Sequence, residues 1–399
     1  MFVSTANSCL YLYSDFILNN TNTSKQIQKY SMIKEGHYFP NLNGIRCIAA
    51  MLVIIHHIEQ FKSLFSIENF WGKSPFIEIV GHLGVVLFFV LSGFLITYLL
   101  LIEEKSTNDI NIRDFYIRRV LRIWPLYYLI ISISLFVLPY IPFFEIPGYP
   151  KDVVHENLAL KIILYFTFFA NIALNVGVVP YASQSWSIGI EEQFYLIWPV
   201  IIKKFKKYRI LLIGLVIGIY YLIKLLLKSN LWDFQTEKTA LYILWSGFTF
   251  DCMAIGSLFA ILSFQKSRLL KIFLNNSLFY LSLATSSVLI LMGYKFPKYH
   301  DQLFAILFGI IILNFATNKE IAITLENKIL NYLGKISYGL YMFHSICIVI
   351  AIKICLHFSI QSNFILYPLC ITLSILVSSF SYTYFEKRFL SIKKKYTNI

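Results

Sequence analysis

The sequence predicts an all-α integral membrane protein with about ten transmembrane helices and one further apolar segment that is re-entrant or peripheral. Three observations predict it. Hydrophobic residues make up 57% of the 399 residues and charged residues only 14%, where a soluble domain carries about 25% charged residues. Eleven apolar windows near span length succeed one another along the chain, and a helical crossing takes about 20 apolar residues. Lys and Arg gather on alternate connections between those windows. So little charge cannot cover a water-facing surface, and 17 Gly, 11 Pro and 6 Cys exclude collagen-like, disordered and disulfide-scaffold chains. The net charge of +14 reads as Lys and Arg held near anionic lipid rather than as a nucleic-acid surface.

Residues 1–38 are polar and irregular. They lack a basic stretch followed by an apolar core and cleavage site, so they do not read as a signal peptide. Met32 opens MIKEGHYFPNLNG, an alternative start that would make the preceding residues dispensable. The windows then run 42–61, 79–102, 122–142, 160–179, 187–203, 210–227, 240–264, 273–293, 301–317, 335–357 and 364–385. Segments up to 46, 103–122, 203–209, 265–271, 318–335 and 387–399 hold 25 Lys and Arg, against 8 in 62–78, 145–161, 228–240, 294–300 and 358–363. This asymmetry puts the basic set in the cytoplasm. Because KKFKKYR at 203–209 must then be inside, window 160–179 cannot be a simple crossing. Ten crossings remain, with both termini cytoplasmic. Non-helical or re-entrant backbone at membrane depth needs protein or a wet cavity around it.

The six cysteines form no CxxC pair and five lie in apolar stretches, so they are expected as small core residues, and no metal site is expected. Ionisable residues within spans are functional candidates. Arg46 and His57 share one helix face: eleven steps of 100° end about 20° past three turns, and the two lie about 16 Å apart along the axis. They read as a cationic mouth with a proton-handling imidazole beyond it, or as a snorkelling Arg and an interfacial His. Arg119 and Arg122 in RDFYIRRVLRIWP are i, i+3 neighbours able to hold one anion, or ordinary positive-inside charge. SWSIGIEEQFYLIWP places Ser187 and Glu191 on one face, for capping or for a cavity. Asp251, His344 and Glu386 are further intramembrane polar residues, as cavity or structural groups. His82 and Glu78 are expected at the interface, and the glycines at 81, 84 and 93 as helix-packing positions.

Taken in order, these blocks resemble the membrane acyltransferase-3 family, integral-membrane O-acyltransferases of bacterial surface glycans. FPNLNGIRCIAAMLVIIHH, GHLGVVLFFVLSGFLIT, FYIRRVLRIWPLYY, SWSIGIEEQFYLIWP, ISYGLYMFHSICI and the terminal FEK span about Phe39 to Glu386. The sequence departs from the family at Asn43, where Asp is usual, at Thr249, where Arg often precedes the mid-chain Asp, and after Glu386, where Lys387 and Arg388 replace a Pro. The resemblance implies a membrane acyltransferase domain over 39–386, followed by a basic cytoplasmic tail over 387–399. Some relatives carry an appended esterase-like domain; with the sequence ending at Ile399, that module is expected to be absent.

The activity implied is transfer of an acyl group, in the first instance acetyl, from cytoplasmic acyl-CoA to a hydroxyl of an extracytoplasmic glycan such as lipopolysaccharide, capsule or peptidoglycan precursor. Its location would be the bacterial cytoplasmic membrane. Acyl-CoA is a substrate, and no bound cofactor is expected. Arg46, Arg119 and Arg122 would bind the CoA phosphates. His57 would act as general base or as acyl carrier, with Glu191 orienting its imidazole. The alternative reading is a secondary transporter of an organic anion or lipid-linked sugar, using the same groups as a relay.

Overall fold

The computed structural model describes residues 39–228, 245, 247–265, 267 and 269–396. The expectations for residues 1–38, and for 240–244 and 246 of window 240–264, lie outside them. The described chain is helical, with no β-strand beyond an isolated bridge between Ile146 and Tyr149.

Its main helices are α1 (Leu42–Leu64), α2 (Pro75–Thr107), α3 (Ile112–Phe136), α4 (Leu158–Phe166), α5 (Ala170–Val176), α6 (Ser185–Lys204), α7 (Arg209–Lys228), α8 (Phe250–Phe264), α9 (Asn276–Leu291), α10 (His300–Thr317), α11 (Ser337–His357), α12 (Asn363–Ser381) and α13 (Lys387–Lys393). Among the described residues, seven helices are long and apolar enough to cross a membrane. They are α1, α2, α3, α7, α10, α11 and the run that starts with α12; α8 and α9 are apolar but shorter.

Window 160–179 is broken. Its two helices have 9 and 7 residues, about 14 and 11 Å at 1.5 Å per residue. Phe168, between them, sits at φ 62°, a conformation rare for a bulky side chain. Neighbours fix it. Gln193 Nε2 donates to Phe168 O at 2.9 Å, and a Cβ on Gly189 would lie 2.7 Å from that same oxygen.

The glycines at 84 and 93 do pack helices. A Cβ on Gly93 would lie 1.9 Å from Met253 O in α8, and one on Gly256 would lie 2.0 Å from Val90 O in α2. Ser257 Oγ donates to Gly93 O at 3.2 Å across this contact. A Gly84 Cβ would come within 2.8 Å of Ala49 O in α1. Gly93→Ala is therefore expected to cost about 1–3 kcal/mol by overpacking, read as a lower melting temperature in detergent. Melting with the wild type would show that the helices simply part.

Ion pairs define one end of the bundle. Lys203–Asp109 (2.8 Å), Lys206–Glu104 (2.8 Å) and Arg209–Glu104 (2.7 Å) tie the 203–209 loop to the end of α2. The hydrogen bond from Lys203 holds the exposed Asp109 carboxyl below its ordinary range. Arg118 joins the same end to the C-terminal segment through Tyr396 O at 2.8 Å. Residues 387–396, expected as a tail, are helical and pack on α3. At the other end, Glu59 and Lys62 of α1 meet Asn363 and Tyr367 of α12.

Candidate active site

Helix α1 threads both ends of the bundle and carries an ionisable side chain toward each. Near its start, Arg46 Nη1 donates to Asn43 Oδ1 at 3.0 Å. Its electrostatic neighbours are Arg122, Arg119, Tyr195 and Glu191. Lys393 of α13 feels Arg122, Arg119, Arg118 and Arg46 in turn, so four side chains from three helices, Arg46, Arg119, Arg122 and Lys393, make a cationic cluster. Arg119 lies over the rings of Phe115 and Tyr195, at 5.5 and 5.7 Å, and its buried Nε makes no hydrogen bond. Arg118 is turned away, bound to Glu103 at 2.8 Å.

Three carboxylates border this cluster. Glu191 accepts from Tyr195 OH at 2.7 Å, and that hydroxyl also contacts Ser92 Oγ. Glu192 accepts from Trp124 Nε1 at 2.8 Å and leaves its other oxygen without a partner. Glu386 accepts from Ser381 Oγ at 3.2 Å, in a π-helical turn over Tyr382–Glu386 that Arg122 also influences. Such turns often mark functional positions.

About 16 Å along α1 from Arg46, His57 lines a cavity of about 370 Å³. His57 Nδ1 lies 2.9 Å from Val53 O. A carbonyl can only accept, so Nδ1 carries the proton and the neutral ring keeps its lone pair on Nε2. The His344 ring is 4.7 Å away, with its Nδ1 donating to Tyr341 O at 2.6 Å. Ser187 Oγ meets Tyr341 OH at 2.6 Å. Gln184 locks the region, donating to Tyr181 O and Met342 O at 3.0 and 2.9 Å and accepting from Ser345 at 3.2 Å. The broken α4–α5 segment supplies another wall through Leu174, Val178 and Pro180. Gly81 leaves room for the His56 ring, whose Cγ would lie 2.4 Å from a Cβ there.

One expected partnership is absent. Glu191 contacts Tyr195 and the arginines, while His57 has Val53, His56 and His344 as neighbours. Ser187, a turn before Glu191 on α6, is the residue level with Tyr341 and His344, so Glu191 falls at the cationic end instead. Asp251 of α8 has Gln302 and Asp301 of α10 as neighbours. It is fully buried, accepts from Gln302 Nε2 and leaves one oxygen unpartnered. His82, expected at the interface, lines the cavity and bonds Asp301 Oδ1 at 2.8 Å. Sequence reasoning also passed over Lys393, Tyr195, Gln184 and Trp186. Tyr195 at i+4 from Glu191 was open to the same helix arithmetic. Among the described residues, no three His, Cys, Asp or Glu side chains are grouped to hold a metal ion.

Comparison with known proteins gives the arrangement a family. The chain is 29% identical to the peptidoglycan O-acetyltransferase OatA of Listeria monocytogenes over 328 residues, 77% of this chain and 49% of OatA. It is 30% identical over 180 residues to YrhL of Bacillus subtilis, provisionally named a peptidoglycan O-acetyltransferase, covering 43% of this chain and 25% of YrhL. A provisionally named O-acetyltransferase of Staphylococcus aureus is 31% identical over 181 residues, 45% of this chain and 27% of that protein. The chain thus spans about half the length of OatA and about a quarter of the other two. No solved structure matches it. Residues 39–383 match the family described as an acyltransferase domain, and on that match the chain belongs to the acyltransferase-3 family.

Proposed function

We propose that this protein is a membrane O-acyltransferase that moves an acyl group, acetyl in the first instance, from cytoplasmic acyl-CoA to a hydroxyl of an extracytoplasmic cell-wall glycan or its precursor. The observation that carries the reading is the pairing, on one helix, of a cationic cluster around Arg46 with a cavity-lining imidazole at His57. The names of the relatives, OatA above all, favour peptidoglycan as the acceptor class.

The cationic end faces the cytoplasm in this reading, as the distribution of 25 against 8 basic residues favours. Ten crossings then run through α1, α2, α3, α6, α7, α8, α9, α10, α11 and α12, with α4–α5 folded back as a re-entrant wall and both termini inside. The membrane is the bacterial cytoplasmic one. Arg119 and Arg122, with Arg46 and Lys393, hold the CoA phosphates; guanidinium groups suit that task through paired donors. Glu191 and Tyr195 keep the arginines placed, a different task from orienting His57. The pantetheine arm extends along α1 and brings the thioester to the cavity. There His57 Nε2 takes the proton of the acceptor hydroxyl as its oxygen attacks the thioester carbon. The C–S bond breaks, and the thiolate leaves and receives that proton from the imidazolium.

Purified protein supplied with acetyl-CoA and membrane glycan is expected to release free thiol and acetylate the glycan. Gradient-driven uptake of an organic anion or lipid-linked sugar without thiol release would instead identify a transporter. Replacing both Arg119 and Arg122 with Ala is expected to raise the KM for acetyl-CoA by at least about 10-fold, since a hydrogen bond to a charged group is worth about 1.5–3 kcal/mol. An unchanged KM would remove the pair from the donor site.

A further inference from the structure

We infer that His82, Asp301 and Trp186 form the subsite that receives the pyranose ring of the acceptor, with His82 as a specificity-determining residue and Asp301 as the group that positions it. The inference rests on the acyltransferase reading above and names the wall of the cavity against which the acceptor lies.

Among the described residues that line the cavity, His82 is the histidine paired with a carboxylate. His56 and His57 are held instead by the backbone carbonyls of Ile77 and Val53. Because Asp301 Oδ1 can only accept, the 2.8 Å contact fixes the proton on His82 Nε2 and leaves Nδ1 for another partner. Tautomer and ring orientation are thereby set by a residue 219 positions away, a device that aligns an imidazole toward a ligand. The pair is not sealed in the core, for the His82 side chain is 39% exposed and that of Asp301 22%.

Trp186 lies parallel to the His82 ring, with 6° between their planes and 6.3 Å between centroids. Phe89 meets its ring edge-on at 6.1 Å, which helps hold the indole in place. An indole face takes the C–H face of a pyranose, and a neighbouring imidazole offers a directed hydrogen bond to a ring hydroxyl or acetamido group. At about 370 Å³, the cavity falls in the range of about 300–1,000 Å³ typical of small-molecule sites. Gln60 and Ser183 add polar groups to its lining. A second general base is not needed, since His57 accounts for the one proton that moves. The pair therefore serves binding and orientation.

The test uses membrane vesicles containing the full chain and their own glycan, with radiolabelled acetyl-CoA as probe. His82→Ala and Trp186→Leu are each expected to lower acetyl incorporation at least about 10-fold. The acetyl-CoA KM of the residual activity and the CoA-induced rise in melting temperature of solubilised protein should stay within about twofold of wild type. Trp186→Phe, which keeps an aromatic face, should recover to within about threefold of wild-type incorporation. Wild-type incorporation in His82→Ala overturns the assignment. So does loss of the CoA-induced stabilisation, which would mean that His82 supports the fold or the donor site. Absence of acetyl transfer by the wild type would instead strike at the acyltransferase reading.

Discussion

His57→Ala is expected to abolish most acyl transfer, lowering kcat by about 10²–10⁴-fold, the usual contribution of a positioned general base. The effect should fall on kcat rather than on the acetyl-CoA KM. The cationic cluster around Arg46 lies about three helical turns away and shares no hydrogen bond with His57. Removing a ring that borders an existing cavity enlarges that cavity without opening a new one in the core, so the fold should persist. His57→Gln should be as impaired as the alanine variant, because an amide nitrogen cannot take a proton. His56→Ala should retain far more activity, since that ring is tied to Ile77 O and packs on Trp71 at 4.9 Å. Measured on purified protein, wild-type turnover in His57→Ala would take the residue out of the chemistry.

Much of this site was legible in the sequence because it is written along single helices. Eleven helical steps lead from Arg46 to His57, and helix periodicity alone puts both on one face at about 16 Å. The same arithmetic joins Arg119 to Arg122 and Ser187 to Glu191. Charge counting singled out window 160–179 as the stretch that could not cross simply, and the chain there is broken at Phe168. What periodicity cannot give is the rotation of one helix against another. Glu191 and His57 were natural partners on paper, yet α6 places Glu191 beside Tyr195 and the arginines. The His82–Asp301 bond spans 219 residues, with nothing local to mark either residue as the other's partner. Lys393 looked like tail charge until α13 folded against α3.

Contacts between helices also hold the bundle together, and those made by the i, i+3 ion pair buried on α1 give the largest stability effect to be expected. Glu59 and Lys62 have fully buried side chains 2.6 Å apart. Each carries more than its partner's charge. Glu59 accepts from Tyr367 OH at 2.6 Å and from the backbone N–H of Phe70, while Lys62 donates to Asn363 Oδ1 at 2.9 Å and lies 5.7 Å from the Phe70 and Tyr367 ring centroids. The pair thus clamps α1, the loop before α2, and the start of α12.

Glu59→Ala strands a buried ammonium, a tyrosine hydroxyl and a backbone N–H together, and breaking a buried pair in this way costs about 3–5 kcal/mol. The expected reading is a large fall in melting temperature of detergent-solubilised protein, with little folded material recovered at growth temperature. Glu59→Ala combined with Lys62→Ala removes the orphaned charge and should recover part of the loss. Full recovery is not expected, because Asn363, Tyr367 and Phe70 N–H still lose partners. A Glu59→Ala protein that melts with the wild type would mean that water reaches Lys62 and that the clamp contributes nothing. Glu59→Gln separates charge from hydrogen bonding: the amide oxygen can still accept from Tyr367 or Phe70, so a variant that melts close to Glu59→Ala would assign the stability to the charge pair itself.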